Sequence, residues 1–247
     1  MDRLVNTALT AMRGAMARQT AIANNLANAD TTGFRAEIAN ASTSWIDGQT
    51  FKTRAQQTEQ VIGADMAQGA VTKTGNPLDV ALNGDALLAV QGDDGSEGYT
   101  RRGDLKTNDS GLLTTGDGHP VLGESGPITL PPADSVKIAE DGSIWIVPQG
   151  GEASQPQRID ALKLVNAKGS TIAKGTDNLF RETNGGALPQ DPLATVTPES
   201  IEGSNVNPTL ALVQMIEASR SWETQVKMIE TAKSIDDGGA SLMRLDQ

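Results

Sequence analysis

Thiol and imidazole groups, which serve many catalytic and metal sites, are almost absent from this chain of 247 residues. It has no cysteine and a single histidine, His119, which excludes thiol catalysis, disulfides, Cys/His zinc sites and metal sites with two histidines. His119 stands in a turn before a proline and has no histidine partner. We interpret it as a loop residue, because neither a catalytic triad nor a metal clamp can be assembled around it.

Carboxylates offer two candidate pairs for glycoside hydrolysis, Asp93 with Glu97 and Asp104 with Asp109. Nothing fixes either pair on opposite sides of a sugar, and aromatic residues that stack on sugar rings make up only 3% of the chain. The acidic turns GDDGSEG and NDSG do not match the EF-hand calcium loop with its closing glutamate. We therefore predict no catalytic residues, no metal site and no cofactor.

Side-chain amides are concentrated in the stretch IANNLANADTTGF, residues 22–34. Asn24, Asn25 and Asn28 interrupt a helical pattern, although asparagine is a poor helix former. Because an amide is both donor and acceptor, these side chains can cap the chain reversal and bind backbone groups of adjacent helices. The alternative is that they only fray the end of a helix.

The helix that carries these asparagines has a narrow apolar stripe. Apolar or small residues recur at alternating steps of three and four, which is typical of a coiled-coil seam, and the pattern is weak at Gln19. The seam residues are Val5, Ala8, Met12, Ala15, Ile22 and Leu26. The N-terminal assembly segment is predicted as residues 1–35, with Gly33 in the left-handed conformation beyond the helix.

The middle of the chain is predicted to be a linker followed by a β domain. Residues 36–74 are polar and hold neither period for long, which indicates an extended linker with one or two short strands. Within residues 75–200, strand-like runs surround turns that are typical of hairpins. These turns are Asn83-Gly84, Asp94-Gly95, Asp117-Gly118 and Asp141-Gly142, and further strand candidates are residues 135–147 and 158–165.

A second assembly helix is predicted within residues 201–247. The motif NVNP, residues 205–208, places Asn207 at the cap and Pro208 in the first turn. The spacing of three and four then recurs at Leu212, Met215, Ser219, Trp222, Val226 and Ile229. Gly238 and Gly239 leave the end of this helix open.

These elements predict a mixed α and β fold. The N- and C-terminal helices form a coiled-coil-like assembly domain around a central antiparallel β-rich domain. Each helix must bury its stripe on the other helix, on another chain, or on both, so the sequence implies a protein partner.

Charge and hydropathy restrict the other partners. A net charge of −11 with scattered basic residues argues against nucleic acid and anionic membranes. The sequence has no apolar run long enough for a secretory signal or a membrane span, which by itself predicts a soluble, cytosolic protein.

Several motifs resemble those of bacterial flagellar rod and hook proteins. ANNLANADTTGF and EGSNVNP resemble the signatures after the first helix and before the last helix of that family. Between them, GNPLDVALNGDALLAV, GYTRRGDLKTNDSGLLTTGDGHPVLGESGPI and LFRETNGG resemble its β domain in the same order. The opening MDRLVNTA and the stretch MIEASRSWETQVKMIETAK favour the proximal rod branch of the family, with Trp222 where Phe or Tyr is expected.

The resemblance implies a structural, non-enzymatic protein of the basal-body rod. It would polymerise through its terminal helices, with itself and other rod proteins, to help form the drive shaft and export channel. Export without a cleaved signal through the flagellar type III apparatus, and a periplasmic location, would replace the cytosolic expectation. The implied assembly interface combines the apolar seam residues of both helices with Asn24, Asn25, Asn28, Gly33, Phe34, Asn205 and Asn207.

Two alternatives remain open at this point. One is a distal rod or hook-type protein of the same family. The other is an oligomeric, phage-tail-like β module that trimerises through its terminal helices. Closed assembly in solution would favour the module, whereas open helical polymerisation would favour the rod.

Overall fold

A computed structural model describes residues 2–46, 54–151 and 155–244 of the chain. The chain divides into two compact units. One unit holds the two terminal helices and nearly all of the first strand pair, whereas the other, the β body, comprises Asn28–Ala36 and Ala64–Val206. The prediction of a mixed α and β fold, with terminal helices and central antiparallel sheets, is confirmed.

The two helices are α1 (Asp2–Ala27) and α2 (Pro208–Arg244). The start of α2 is the predicted one: Oδ1 of Asn207 accepts a hydrogen bond from the backbone N–H of Leu210 at 3.1 Å. This bond satisfies one of the amide groups left without an intrahelical partner in the first turn.

Glycines act differently at the ends of the two helices. After α1 ends at Ala27, Gly33 has a φ of 67°, which is the left-handed conformation predicted for it. By contrast, α2 continues through Gly238 and Gly239 to Arg244, although each glycine costs about 1 kcal/mol relative to alanine within a helix. The end that the sequence left open therefore lies after the glycine pair.

The segment predicted as a linker contains three strands, β1 (Glu37–Ile46), β2 (Arg54–Ala64) and β3 (Val71–Lys73). With 10 and 11 residues, β1 and β2 are longer than the short strands predicted, and they pair as a two-stranded sheet. Small and polar residues dominate both strands: alanine, serine and threonine in β1, and glutamine, threonine and alanine in β2. They therefore lack the apolar–polar alternation by which a half-buried strand is recognised.

The β body contains β3 and thirteen further short strands. They are β4 (Val80–Leu82), β5 (Ala86–Gln91), β6 (Glu97–Thr100), β7 (Leu105–Thr107), β8 (Leu113–Thr115), β9 (Ala133–Ile138), β10 (Ser143–Pro148), β11 (Gln157–Ala161), β12 (Leu164–Asn166), β13 (Ile172–Lys174), β14 (Phe180–Glu182), β15 (Val196–Pro198) and β16 (Ser200–Glu202). The sheets have the orders β12-β5-β6-β14-β13, β11-β10-β9, β15-β4, β16-β3 and β7-β8.

Not every predicted turn closes a hairpin. The turns at residues 94–95 and 141–142 join the antiparallel neighbours β5 and β6, and β9 and β10, as predicted. The turn at residues 83–84 joins β4 to β5, but β4 pairs with β15, and β5 pairs with β6 and β12. Partners distant in sequence therefore replace the local pairing expected there.

Residues 158–165, predicted as one alternating strand, form parts of two strands. β11 pairs with β10, whereas β12 pairs with β5 in another sheet. Leu162, at the break, is 1% exposed. Ala161, its neighbour, is buried too, so the apolar–polar alternation is interrupted at the break rather than continued across it.

The core of the β body lies on both faces of β5. Leu88 and Val90 join the larger cluster, which also includes Ile138 and Ile144. Leu87 and Ala89 point into a second cluster around Tyr99 and Phe180. A strand buried on both faces reads as a continuous apolar run, as ALLAV does.

Candidate assembly site

α1 and α2 pack against each other within one chain. Apart from Ile22 on α1, the apolar side chains described as buried on these helices are alanines: Ala8, Ala15 and Ala21 on α1, and Ala211, Ala218 and Ala232 on α2. Alanines bring helix axes close together but bury little apolar surface. The prediction that each stripe needs another helix is met at least in part inside the chain.

The described members of the predicted seam of α1 are buried or half-buried within one chain, and their part in assembly stays a prediction. Met12 and Leu26 are half-buried beside the buried alanines, whereas Gln19, the weak position, is exposed. The side chain of Val5 lies outside the described residues.

Members of the predicted seam of α2 differ in exposure within one chain, and their part in assembly stays a prediction. The half-buried members are Met215, Trp222, Val226 and Ile229, whereas Leu212 and Ser219 are exposed. The buried positions next to those two belong to Ala211 and Ala218. The hydrophobic pattern alone favours leucine as the buried residue. Where two helices pack closely, however, the smaller alanine takes the buried position.

Large apolar side chains remain exposed on both helices. We call five of them the outer apolar residues: Leu9, Met16, Leu212, Val213 and Ile216. Leu9 and Met16 lie two turns apart on one face of α1, and the other three lie within about one turn of α2. Val213 is 47% exposed and Ile216 is 55% exposed, so the helix pair leaves apolar surface available to another protein.

The asparagines near the end of α1 bind the start of β1. Asn25 pairs with the backbone of Glu37 at both ends of its amide: Oδ1 accepts from the N–H at 2.7 Å, and Nδ2 donates to the carbonyl at 3.0 Å. Nδ2 of Asn24 donates to the carboxylate of Glu37. Oδ1 of Asn28 accepts from the hydroxyl of Thr31 at 3.2 Å.

These bonds support the hypothesis that the asparagines secure the chain reversal after the helix. The backbone that Asn25 binds, however, belongs to a strand of the same chain rather than to an adjacent helix. Sequence reasoning missed Glu37, because nothing in a polar segment marked it as the partner.

Two segments of the β body lie side by side in space. In sequence, each adjoins one of the helices. We call residues 28–36, which follow α1, the first crossover, and residues 202–206, which precede α2, the second crossover. The backbone N–H of Gly33 donates to the carbonyl of Glu202 at 2.7 Å, and the N–H of Asn205 donates to the carbonyl of Phe34 at 3.3 Å. The two signatures noted in the sequence therefore lie side by side in the folded chain, joined by backbone hydrogen bonds.

Asn205 reinforces this pairing through its side chain. Its Oδ1 accepts from the N–H of Ala36 at 2.8 Å, and its Nδ2 donates to the carbonyls of Asp65 (2.8 Å) and Ala67 (2.9 Å). Phe34 is buried, and Nζ of Lys174 lies 3.6 Å from the centroid of its ring. Gly33, Phe34 and Asn205 thus make contacts inside the β body. Their part in assembly stays a prediction.

A buried carboxylate lies between the crossovers and the rest of the β body. Glu202 accepts hydrogen bonds from Arg101, from Nε at 2.9 Å and from Nη2 at 2.6 Å, and its other oxygen accepts from the N–H of Gly69 at 2.8 Å. Nη2 of Arg35 lies 2.7 Å from Oε1. The side chains of Glu202, Arg35 and Arg101 are almost fully buried.

The guanidinium of Arg101 makes hydrogen bonds to Glu202 and to three backbone carbonyls. Besides Glu202, its guanidinium donates to the carbonyls of Leu82 (2.6 Å), Gly84 (2.6 Å) and Ala86 (2.8 Å). A Cβ at Gly33 would lie 2.4 Å from the backbone of Arg101, so only glycine fits where the first crossover passes it.

Burial lowers the pKa of Arg35 from its usual value, because it disfavours the charged guanidinium. The attraction of Glu202 opposes this shift, the repulsion of Arg101 adds to it, and Asp65 attracts Arg35 more weakly. Sequence reasoning missed all three buried charged residues. The available hint was that Arg35 directly follows the first signature and Glu202 opens the second.

The residues considered for catalysis have ordinary structural contacts. Nδ1 of His119 lies 3.5 Å from Asp93, whose side chain is 93% exposed. Asp104 binds Arg102, with Oδ1 at 2.6 Å from Nε. Within the described ranges, no group of three or more His, Cys, Asp or Glu side chains could hold a metal ion.

A search of the described helices for a segment long and apolar enough to cross a membrane found none.

Three family models match the chain in order. "Flagella basal body rod protein" matches residues 5–35, "Flagellar hook protein FlgE/F/G D1 domain" matches residues 81–146, and "Flagellar basal body rod FlgEFG protein C-terminal" matches residues 197–242. The first match covers most of α1 and the first crossover. The last covers the second crossover and nearly all of α2.

Curated relatives match over almost the whole length. The chain is 41% identical to the flagellar basal-body rod protein FlgF of Escherichia coli (strain K12), over 99% of this chain and 98% of the relative. It is 40% identical to FlgF of Salmonella typhimurium, with 98% of each chain covered. Identity to the rod protein FlgG of Buchnera aphidicola subsp. Schizaphis graminum is 32%, over 85% of this chain and 88% of the relative.

Proposed function

The chain belongs to the flagellar basal-body rod protein family, and from that premise we propose that it builds the proximal rod by polymerising through its terminal helices. It is a structural component of the flagellar rod. The observation that carries this function is the identity of 41% to a relative named FlgF over 99% of the chain. We assign it no catalytic activity and no cofactor.

The assembly surface that we propose lies on the helix pair. The outer apolar residues are exposed, and seam residues such as Trp222 and Ile229 are half-buried in the single chain. Helices of neighbouring subunits would cover these side chains in a coiled-coil-like packing. Burial of apolar side chains contributes about 25 cal/mol per Å² removed from water, which favours a multi-subunit assembly.

The partners that we propose are further copies of this chain, other rod proteins and the flagellar type III export apparatus. The chain would reach the periplasm through that apparatus without a cleaved signal, and would act in the drive shaft and export channel there. Thin helix packing supports this route, because weakly packed helices unfold readily for threading. Neither nucleic acid nor direct membrane insertion has a place in this proposal.

Electron microscopy of basal bodies from cells lacking the gene tests the proposal. We expect basal bodies without the proximal rod, and a plasmid copy of the wild-type gene should restore it. Complete rods in the deletion strain would overturn the proposed function. Loss of only the distal part of the rod would favour the distal alternative, for which identity to FlgG is lower, at 32%.

A further inference from the structure

Arg35 is a buried cation with incomplete hydrogen bonding. Its side chain has 0% exposure, and its Nε and Nη1 atoms have no hydrogen-bond partner among the described residues. Arg101, beside it, donates two hydrogen bonds to Glu202 and three to backbone carbonyls. Arg101 alone therefore neutralises Glu202 and satisfies the surrounding carbonyls.

Arg35 adds a second cation to a cluster with one fully buried carboxylate, and Asp65, which also attracts it, is only half-buried. Two guanidinium groups and one carboxylate give the three buried side chains a net charge of +1. Burying excess charge is unfavourable, and a buried ion pair is weak grounds for inferring stability. The contribution of Arg35 must therefore be sought elsewhere than in the stability of the β body.

The position of Arg35 suggests what it contributes. It lies in the first crossover between two residues that hydrogen-bond the second crossover, Phe34 through its carbonyl and Ala36 through its N–H. Nζ of Lys174 donates to the carbonyl of Arg35 at 3.2 Å. The guanidinium thus reaches Glu202 from the middle of the paired stretch.

We propose that Arg35 couples the two crossovers. Through its contact with Glu202, both crossovers stay packed on the rest of the β body together, or detach from it together. The charge of Arg35 also disfavours a shift of the first crossover along the second. A shift of the first crossover by one residue would withdraw the guanidinium from its carboxylate, and would move a residue with a Cβ into the space beside Arg101 that admits only glycine.

Amide exchange, measured by NMR on the purified full-length chain, tests the coupling. The reporters are the N–H groups of Gly33 and Asn205, one in each crossover. In Arg35→Met, we expect both to exchange faster by a similar factor of about ten or more, because the side chain that holds both segments in the wild-type chain is gone. The thermal midpoint of the β body should stay the same or rise, since the excess buried charge is gone.

Two further variants separate docking from general damage. Arg35→Lys keeps one charge near Glu202 and should restore most of the protection at both amides. Arg102→Met removes a neighbouring guanidinium that binds the partly exposed Asp104, and should leave both reporters unchanged. Faster exchange at Gly33 with unchanged exchange at Asn205 would overturn the coupling. A fall in the thermal midpoint of Arg35→Met would show instead that Arg35 stabilises the β body.

Discussion

At the scale of single residues, the buried carboxylate of Glu202 contacts two arginines and one backbone N–H. It neutralises Arg101, contacts Arg35 and accepts the N–H of Gly69. If its charge is removed, two guanidinium groups face each other in a buried place without a counter-ion. Such a loss is far more destabilising than the loss of an exposed ion pair.

The variant Glu202→Gln should therefore lower the free energy of unfolding of the β body by about 3 kcal/mol. Urea denaturation of the purified chain measures this change. Glu199→Gln is the matched control, because Glu199 is partly exposed and lies 3.6 Å from the exposed Lys73. We expect the control to change the stability by less than about 0.5 kcal/mol. Equal stabilities for the two variants would refute the argument.

Tyr99 should make the β body sensitive to alkaline pH. Its hydroxyl accepts a hydrogen bond from the N–H of Leu188 at 2.6 Å, and burial raises the pKa of Tyr99 to about 12. In the unfolded chain the pKa is about 10, so the stabilisation is complete below that pH and is lost as the pH rises toward 12. Ionisation thus favours the unfolded chain.

Because the chain has one tyrosine, the absorbance of tyrosinate reports Tyr99 alone. We expect its titration midpoint well above 10, and coincident with unfolding if the β body unfolds first. Tyr99→Phe should be less stable at neutral pH, since it leaves the N–H of Leu188 unpaired, but should lose less stability between pH 9 and 12. A midpoint near 10 in the folded protein would contradict the expected shift.

At the scale of elements, the contact between α1 and α2 is thin. Its buried side chains are mostly alanines, which contribute little transfer free energy, whereas the β body buries leucine, isoleucine and valine on both faces of β5. The two compact units should consequently differ in local stability.

Amide exchange at low protein concentration should therefore be fast for residues 8–26 and 212–229 and slow for the strands of the β body. Brief proteolysis should cut the helices first and leave a resistant fragment spanning about residues 75–197. Assembly into the rod should slow the exchange of the helices. Protection of the helices in the monomer equal to that of β5 would show that their packing needs no neighbouring subunit.

At the scale of the whole molecule, function depends on what the folded chain leaves uncovered. The outer apolar residues are exposed although large apolar side chains are mostly buried in the β body. A surface of this kind on a rod protein is expected to be covered by another subunit. Substitutions there should separate assembly from folding.

The double variant Val213→Glu with Ile216→Glu should abolish motility and rod assembly while leaving the thermal midpoint of the β body unchanged. Two charges placed in a dry subunit contact are strongly unfavourable, but they remain solvated in the monomer. Ser221→Glu with Thr224→Glu has the same spacing and charge on exposed positions of α2, and should be tolerated. Normal swimming by the first variant would remove the outer apolar residues from the proposed interface.

Much of this protein was determined locally, by patterns that a sequence displays directly. The cap at Asn207, the left-handed Gly33 and the hairpins at residues 94–95 and 141–142 each depend on a few adjacent residues, and each was predicted correctly. The family signatures also located both crossovers, since they are short and continuous.

What the tertiary structure alone decided involves partners distant in the chain. The pairing of β4 with β15, the choice of Ala211 and Ala218 over Leu212 and Ser219, and the burial of Arg35 against Glu202 join residues that no local pattern connects. Local propensity sets turns and caps, because their hydrogen bonds close within a few residues. Strand partners, helix contacts and buried charges depend on which surfaces meet, and only the folded chain brings those surfaces together.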